Sequence, residues 1–323
     1  VADLIGCERS GVVFTSGGTE SNNLAIRGVC SRFQGGHVIT TAIEHPAVAE
    51  PVARLKGFDV TICSCDAQGR VSTEAVRDAL REETVLVTVM HANNETGVVQ
   101  PIREIGKLCR ARGILFHTDA AQSIGKIRTS VAELGVDLLT IAGHKLYAPK
   151  GVGALYIRRG VDLDPVEYGA AHESGLRPGT ENVASIVALG KAAELAMHSV
   201  SEARERIAAL RDQLERRLRA GIGPELIVFG DQADRLPNTL CVGFPQVTGR
   251  ELLREAPELC ASTGSACHAA GSAGPSTLVA MGVAPDRARG AVRLSLGWTT
   301  SAEEIELASE KLIAAWERCV AAA

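Results

Sequence analysis

The sequence has no excess of basic residues, no long apolar run and no ordered pattern of cysteines, and each absence removes a class of function. Lys and Arg number 34 against 38 Asp and Glu, a formal net charge of −4. That balance leaves no footprint for a polyanion, so neither direct nucleic-acid binding nor a membrane surface is expected. The most apolar stretches are broken by charge, Gly or Pro well short of the ~18–20 residues a membrane span needs. Nothing resembles a secretory leader. The nine cysteines are odd in number and lack the spacing of a disulfide framework, which fits a reducing, cytoplasmic setting. Cys63 and Cys65 have no second pair or neighbouring histidine to complete a metal site, so they read as strand and loop residues and no metal is expected. Internal repeats and low-complexity tracts are missing as well.

What is present is a globular chain of 323 residues, 46% hydrophobic and 22% charged, long enough for about two domains. Short runs rich in Val, Ile and Leu at Val12–Phe14, Val38–Thr41, Val60–Cys63, Val85–Met90, Ile114–Phe116 and Leu138–Ile141 each read as a buried strand. Helix-period segments such as Pro46–Lys56, Ser72–Arg81 and Pro101–Arg112 alternate with them. This is the pattern of a mostly parallel α/β sheet flanked by helices. A long helical stretch follows from about Glu181 to Ala220, with an interruption near Ser199–Ser201. Beyond it lie short strands at Leu226–Phe229, Leu240–Phe244 and Val292–Leu296, and a last helix opened by the capping-box pair Ser301 and Glu304. The expected domains are therefore 1–200, a large α/β domain, and 201–323, a smaller α+β domain.

In an open α/β sheet, ligands bind beyond the carboxyl ends of the strands. Five of those ends are polar here. Thr15-Ser-Gly-Gly-Thr-Glu-Ser-Asn22 follows the first strand and opens a helix, whose free N–H groups and Thr19 hydroxyl suit a phosphate. Ile43-Glu-His45-Pro, His91-Ala-Asn-Asn-Glu95, His117-Thr-Asp119-Ala-Ala-Gln122 and Gly143-His144-Lys145 follow the others. Taken singly, each residue has an ordinary explanation: a lysine after a strand is usually solvated, an aspartate usually caps a turn. Together they match the needs of a phosphorylated heteroaromatic aldehyde. That ligand wants an amine for a Schiff base, a carboxylate for its ring nitrogen and a phosphate cradle at a helix start. Pyridoxal 5'-phosphate is such a ligand. Lys145 would be the Schiff-base amine, Asp119 the ring-nitrogen partner and Gln122 a donor toward the phenolate oxygen. His45 would lie over the ring face, with Gly18, Thr19 and His144 at the phosphate.

One further thiol stands out. In Ala261-Ser-Thr-Gly-Ser-Ala-Cys-His-Ala269 the cysteine, Cys267, sits among the smallest side chains, a composition that argues for an exposed sulfur. On its own that run reads first as an ordinary flexible loop.

Eight ordered blocks then carry a resemblance nearly end to end: FTSGGTESNNLAI (14–26), TAIEHPAV (41–48), MHANNETGVVQPI (90–102), FHTDAAQSIGK (116–126), GHKLYAPKGVGALYI (143–157), GLRPGTENV (175–183), ASTGSACHA (261–269) and AVRLSLG (291–297). The chain resembles the NifS/IscS-type cysteine desulfurases, which are class V, fold-type I pyridoxal-phosphate enzymes. The resemblance implies that Lys145 also shuttles the substrate Cα proton, and that Arg293, helped by Asn94, holds the carboxylate of L-cysteine. It implies that Cys267 takes the substrate sulfur as a persulfide with release of alanine; the adjacent His268 is a candidate for assisting the thiolate, although neighbours in sequence need not face the same way. Thr180 would reach the phosphate of a partner subunit, which implies a homodimer. The sulfur would pass to an acceptor protein, an iron-sulfur scaffold or a tRNA-thiolating enzyme. Two alternatives share the same blocks: a selenocysteine lyase, and a pyridoxal-phosphate-binding or persulfide-carrying subunit without turnover. Ala142 stands where the family commonly has Ser or Thr, Ala148 where it has Gly, and Tyr168-Gly-Ala-Ala171 where it has a His-Gly-Gly-like run. Family members carry, ahead of the position of Val1, an N-terminal arm with an Asp/Asn-Ala-Thr-Thr-Pro turn that contributes to the substrate site; either this sequence is a fragment or the protein lacks that part of its small domain.

Overall fold

A computed structural model describes residues 1–264 and 276–322, and the chain divides into two compact units. The first comprises Val1–Ser64, Val71–Ala92 and Gln100–Val200; the second comprises Cys65–Arg70, Asn93–Val99 and Ser201–Ala323.

The first unit is built on seven strands: β1 (Val12–Thr15), β2 (Gly36–Thr41), β3 (Phe58–Cys63), β4 (Thr84–Thr88), β5 (Leu115–Asp119), β6 (Leu138–Ala142) and β7 (Gly153–Ile157). Their order is β1-β7-β6-β5-β4-β2-β3. Only β7 runs against the rest, pairing antiparallel with both β1 and β6, so the other six share one direction. The intervening helices are α1 (Ala2–Ile5), α2 (Gly18–Cys30), α3 (Pro46–Ala53), α4 (Thr73–Ala79), α5 (Ile102–Ala111) and α6 (Val131–Leu134). Strand alternation explains why the sheet is covered twice. Val38, Leu86, Leu138 and Leu155 join Leu24, Ala25 and Val29 of α2 in one apolar cluster. Their neighbours Ile39, Val87, Leu139 and Ala154 are equally buried and point to the opposite side, where α5 buries Ile102, Ile105 and Cys109.

Two strand expectations change. β3 is not a buried strand: it closes the sheet edge, and Val60 and Ile62 are 37% and 62% exposed. Its apolar run reflects β propensity at an edge rather than burial on two faces. The strand β7, hidden in sequence by the glycines of Lys150-Gly-Val-Gly153, enters between β1 and β6.

Two buried histidines lace the central strands. The ring nitrogens of His37 in β2 lie 2.8 Å from Thr84 Oγ1 of β4 and 2.8 Å from Thr61 Oγ1 of β3. Those of His117 in β5 lie 2.8 Å from Thr88 Oγ1 of β4 and 3.1 Å from Thr140 Oγ1 of β6. Each ring satisfies two strands at once, as a buried polar group must.

The helix α7 (Val183–Ile222) spans the unit boundary, which falls between Val200 and Ser201, inside the stretch expected to interrupt it. In the second unit an antiparallel sheet of β8 (Ile227–Val228), β9 (Thr239–Gly243) and β10 (Ala291–Ser295) has the order β10-β9-β8. Its helices are α8 (Gly249–Arg254), α9 (Ser276–Ala280), α10 (Pro285–Arg289) and α11 (Ala302–Ala321). Leu214 and Leu218 of α7, Leu252 of α8 and Leu312 of α11 close over Leu240, Val242 and Val292. Both α8 and α11 open with complete capping boxes, Thr248 with Glu251 and Ser301 with Glu304, each satisfying two otherwise orphaned N–H groups. No single helix among the described residues is long and apolar enough to cross a membrane.

Phe116 is fully buried in the first unit, whereas both tryptophans, Trp298 and Trp316, belong to the second. Phe116→Ala is expected to destabilise the first unit by about 3–5 kcal/mol. In urea, the circular-dichroism transition should move to lower denaturant while the tryptophan-fluorescence transition stays in place.

Candidate active site

Because β1, β2, β4, β5 and β6 are parallel, their carboxyl ends lie on one edge of the sheet, and the loops that follow converge there. The turn between β1 and α2 is pressed hard against that edge. Gly17 caps α2 with φ 151°, a backbone open to glycine alone. A Cβ on Gly153 would lie 2.7 Å from the Gly17 Cα. A Cβ on Gly18 would lie 3.2 Å from that of Ala142, so the start of α2 sits directly over the end of β6. Thr19, in the first turn, is exposed and shares with His45 the wall of a groove of about 860 Å³.

Asp119, the last residue of β5, is 7% exposed. Its Oδ2 accepts a 2.8 Å bond from Nδ2 of Asn22 in α2, and its Oδ1 a 2.9 Å bond from the Ala121 N–H. Burial pushes its pKa up; those two bonds and the charges of His45 and Lys145 pull the other way without cancelling it. With one hydrogen bond on each oxygen, the carboxyl can still accept a further donor. Lys145 lies in a short 3₁₀ turn, Gly143–Leu146, immediately after β6. The neighbouring His144 is exposed, and its pKa is lowered by partial desolvation and by the charges of Lys145, Lys150 and Lys126. His45 caps α3, its Nδ1 accepting from the Ala47 N–H at 3.1 Å; in the neutral ring the proton is thereby left on Nε2. Gln122 is half-buried in the turn after Asp119, its carbonyl accepting from Lys126 Nζ at 2.7 Å.

Thr180 is exposed, in a segment fastened back onto the β1–α2 turn. Glu173 Oε2 accepts from the Phe14 N–H at 2.8 Å and Arg177 Nε donates to Glu20 Oε1 at 2.9 Å. Glu173 and Ser174 have φ of 46° and 58°, left-handed values that non-glycine residues adopt only when held.

Gly18, Thr19, His45, Asp119, Gln122, His144, Lys145 and Thr180 thus all lie in the first unit. Asn94 and Arg293 belong to the second, where Arg293 Nη1 donates to the Asn94 carbonyl at 2.7 Å. The Asn94 side chain is left out of that contact, and Arg293 Nε is buried without a partner among the described residues. A carboxylate would satisfy it. Cys267 and His268 lie outside the described residues. No group of three or more His, Cys, Asp or Glu placed to hold a metal occurs among the described residues.

A class-V aminotransferase model matches residues 1–307. The chain belongs to the class-V aminotransferases, in the NifS/IscS-type cysteine desulfurase group. It is 45% identical over 312 residues to a cysteine desulfurase IscS of an Anaeromyxobacter species, covering 95% of this chain and 77% of the relative. A solved NifS-like protein superposes with a TM-score of 0.91 at 35% identity, covering 98% of this chain and 85% of that one. A structure described as SspA in complex with cysteine gives 0.79 at 36% identity, over 92% and 84% of the two chains. The family is pyridoxal-phosphate-dependent, and the polar edge fits that cofactor on its own chemistry: a buried acid able to accept a further donor, an amine after the next strand and a helix start packed without side chains.

Three buried polar residues at the same strand ends, Asn22, Glu44 and His91, were given no role by the sequence reading. Asn22 is signalled only by its place one turn into α2 on the inward face. Glu44 is buried, its Oε1 accepting from Thr41 Oγ1 at 2.7 Å and from the Met90 N–H at 2.9 Å, with Oε2 unpartnered among the described residues. Burial, with the Asp119 charge adding to it, pushes its pKa up to about 8, so at neutral pH it is a neutral acid tying the ends of β2 and β4. His91 is buried with Nδ1 unpartnered among the described residues, and burial pushes its pKa down to about 4.

Burial likewise pushes the His117 pKa down to about 3 from 6.5. Below pH 6.5 the unfolded chain binds a proton that the folded chain refuses, so this group lowers stability progressively as pH falls toward 3. His117→Gln is expected to flatten that part of the stability–pH curve, read from urea midpoints at a series of pH values.

Proposed function

We propose that the polar edge of the first unit holds pyridoxal phosphate and that the chain uses it to take sulfur from L-cysteine. The observation that carries the reading is the buried Asp119 carboxyl, fixed by Asn22 and within the fields of His45 and Lys145. Asp119 would keep the ring nitrogen protonated, His45 would cover the ring face and Gln122 would donate toward the phenolate oxygen. Gly18, Thr19 and His144 would meet the phosphate, joined by Thr180 of a second subunit in a homodimer. Ala142 supplies a methyl group where a hydroxyl would add one more phosphate contact. When bound, the cofactor supplies an electron sink for the substrate Cα.

The chain's own groups do the rest. Lys145 would hold the cofactor through its amine and would move the substrate Cα proton. Arg293, whose Nη1 is fixed by the Asn94 backbone carbonyl, would bind the cysteine carboxylate with help from Asn94. The Cys267 thiolate attacks the substrate sulfur: the S–S bond forms, the C–S bond breaks with its electrons left on carbon, and protonation of that carbon gives alanine. The persulfide then passes to an acceptor protein. The described cysteines are free thiols, which supports a reducing, cytoplasmic setting.

Incubation with cysteine and pyridoxal phosphate tests the assignment. Lys145→Ala should abolish the visible absorbance of the lysine-bound cofactor, and Cys267→Ala should end alanine and sulfide production while that absorbance remains. Undiminished turnover by Cys267→Ala removes the thiol from the mechanism. Arg293→Gln is expected to lower kcat/KM for cysteine about 10- to 150-fold, chiefly through KM, the loss of a charged hydrogen-bond partner.

A further inference from the structure

The β1–α2 turn carries a carboxylate where a phosphate cradle should be free of negative charge. Glu20 stands in the first turn of α2, its Oε2 accepting the Ser16 N–H at 2.7 Å and its Oε1 the Arg177 Nε at 2.9 Å. Neither side chain is freely solvated: Arg177 is 26% and Glu20 13% exposed. Burial alone would raise the Glu20 pKa, but the Ser16 and Arg177 contacts hold it below the usual carboxylate range. Glu20 is therefore an anion at the positive end of a 13-residue helix, competing for the same field a bound phosphate would use.

We infer that Arg177 is a positioning residue for the phosphate: it neutralises Glu20 and clamps the turn, so the free N–H groups of α2 face a dianion without a like charge beside them. The inference rests on the cofactor reading above. The clamp is two-sided. Arg177 grips the turn after its glycines, and Glu173 grips the Phe14 N–H before them at 2.8 Å. His172 and Glu181 close the same segment on itself at 2.8 Å, across the stretch that ends in Thr180. The left-handed backbone at Glu173 and Ser174 is held in place by the same contacts.

Two ligands separate this role from a merely structural one: pyridoxal phosphate, and pyridoxal, which has the same ring and aldehyde without the phosphate. The cofactor is removed from the 323-residue chain, and each ligand is titrated back by the visible absorbance it develops on Lys145. Arg177→Gln is expected to weaken pyridoxal phosphate about five- to thirty-fold, the upper part of the range for a partly buried helix-terminus charge, and pyridoxal by less than about twofold. Arg177→Lys, which keeps the charge, should stay near wild type, and Glu20→Gln combined with Arg177→Gln should recover most of the lost affinity. Equal losses for both ligands, or no recovery in the double variant, overturn the inference while leaving the cofactor reading intact. A wild-type chain that develops no absorbance with either ligand overturns the cofactor reading and the inference with it.

Discussion

The hydrogen bond from Asn22 to Asp119 joins the two parts of the first unit that a cofactor would touch at opposite ends. Asn22 belongs to α2, whose start forms the candidate phosphate cradle; Asp119 ends β5, in the middle of the sheet. A buried carboxyl costs free energy unless its lone pairs are met. The fold meets some of them with Asn22 and the Ala121 N–H and leaves the carboxyl able to accept a further donor. The placement of Lys145 after β6 and of His45 after β2 gains its meaning from that capacity, because both put positive potential toward the same acid.

Rigidity around the carboxyl comes from groups that stay neutral. His117, Glu44 and His91 are buried, and in each the uncharged form is the favoured one near neutral pH. The His117 ring, bridged to threonines on both neighbouring strands, and the Glu44 carboxyl accepting a backbone N–H pin the strand ends laterally. They add no net charge to compete with Asp119. The β1–α2 turn is pinned by the lack of side chains instead, with Gly17, Gly18 and Gly153 allowing backbone to lie against backbone. Its one charge, Glu20, is answered by Arg177.

Among its described residues the second unit has a simpler construction: three antiparallel strands, apolar helix faces and two capping boxes. It incorporates two short segments that precede it in sequence, Cys65–Arg70 and Asn93–Val99. The loop after β4 is thus divided, His91 and Ala92 remaining with the first unit and Asn94 joining Arg293 in the second. A reading by sequence position gives all of that loop to the first domain, because adjacency along the chain is the only distance a sequence records.

The sequence by itself determined the alternation of strands and helices, the capping boxes, and the residue types waiting at the strand ends. These are written in local periodicity and composition, and the eight ordered blocks carried the family. Only the tertiary structure decided that β7 enters antiparallel between β1 and β6, that β3 is an exposed edge, and that Asn22, Glu44 and His91 are buried around Asp119. Only it paired Arg177 with Glu20, across 157 residues of chain. Strand order, burial and ion pairing depend on which distant segments meet. Propensity and periodicity act over a turn or two and carry no information about that choice.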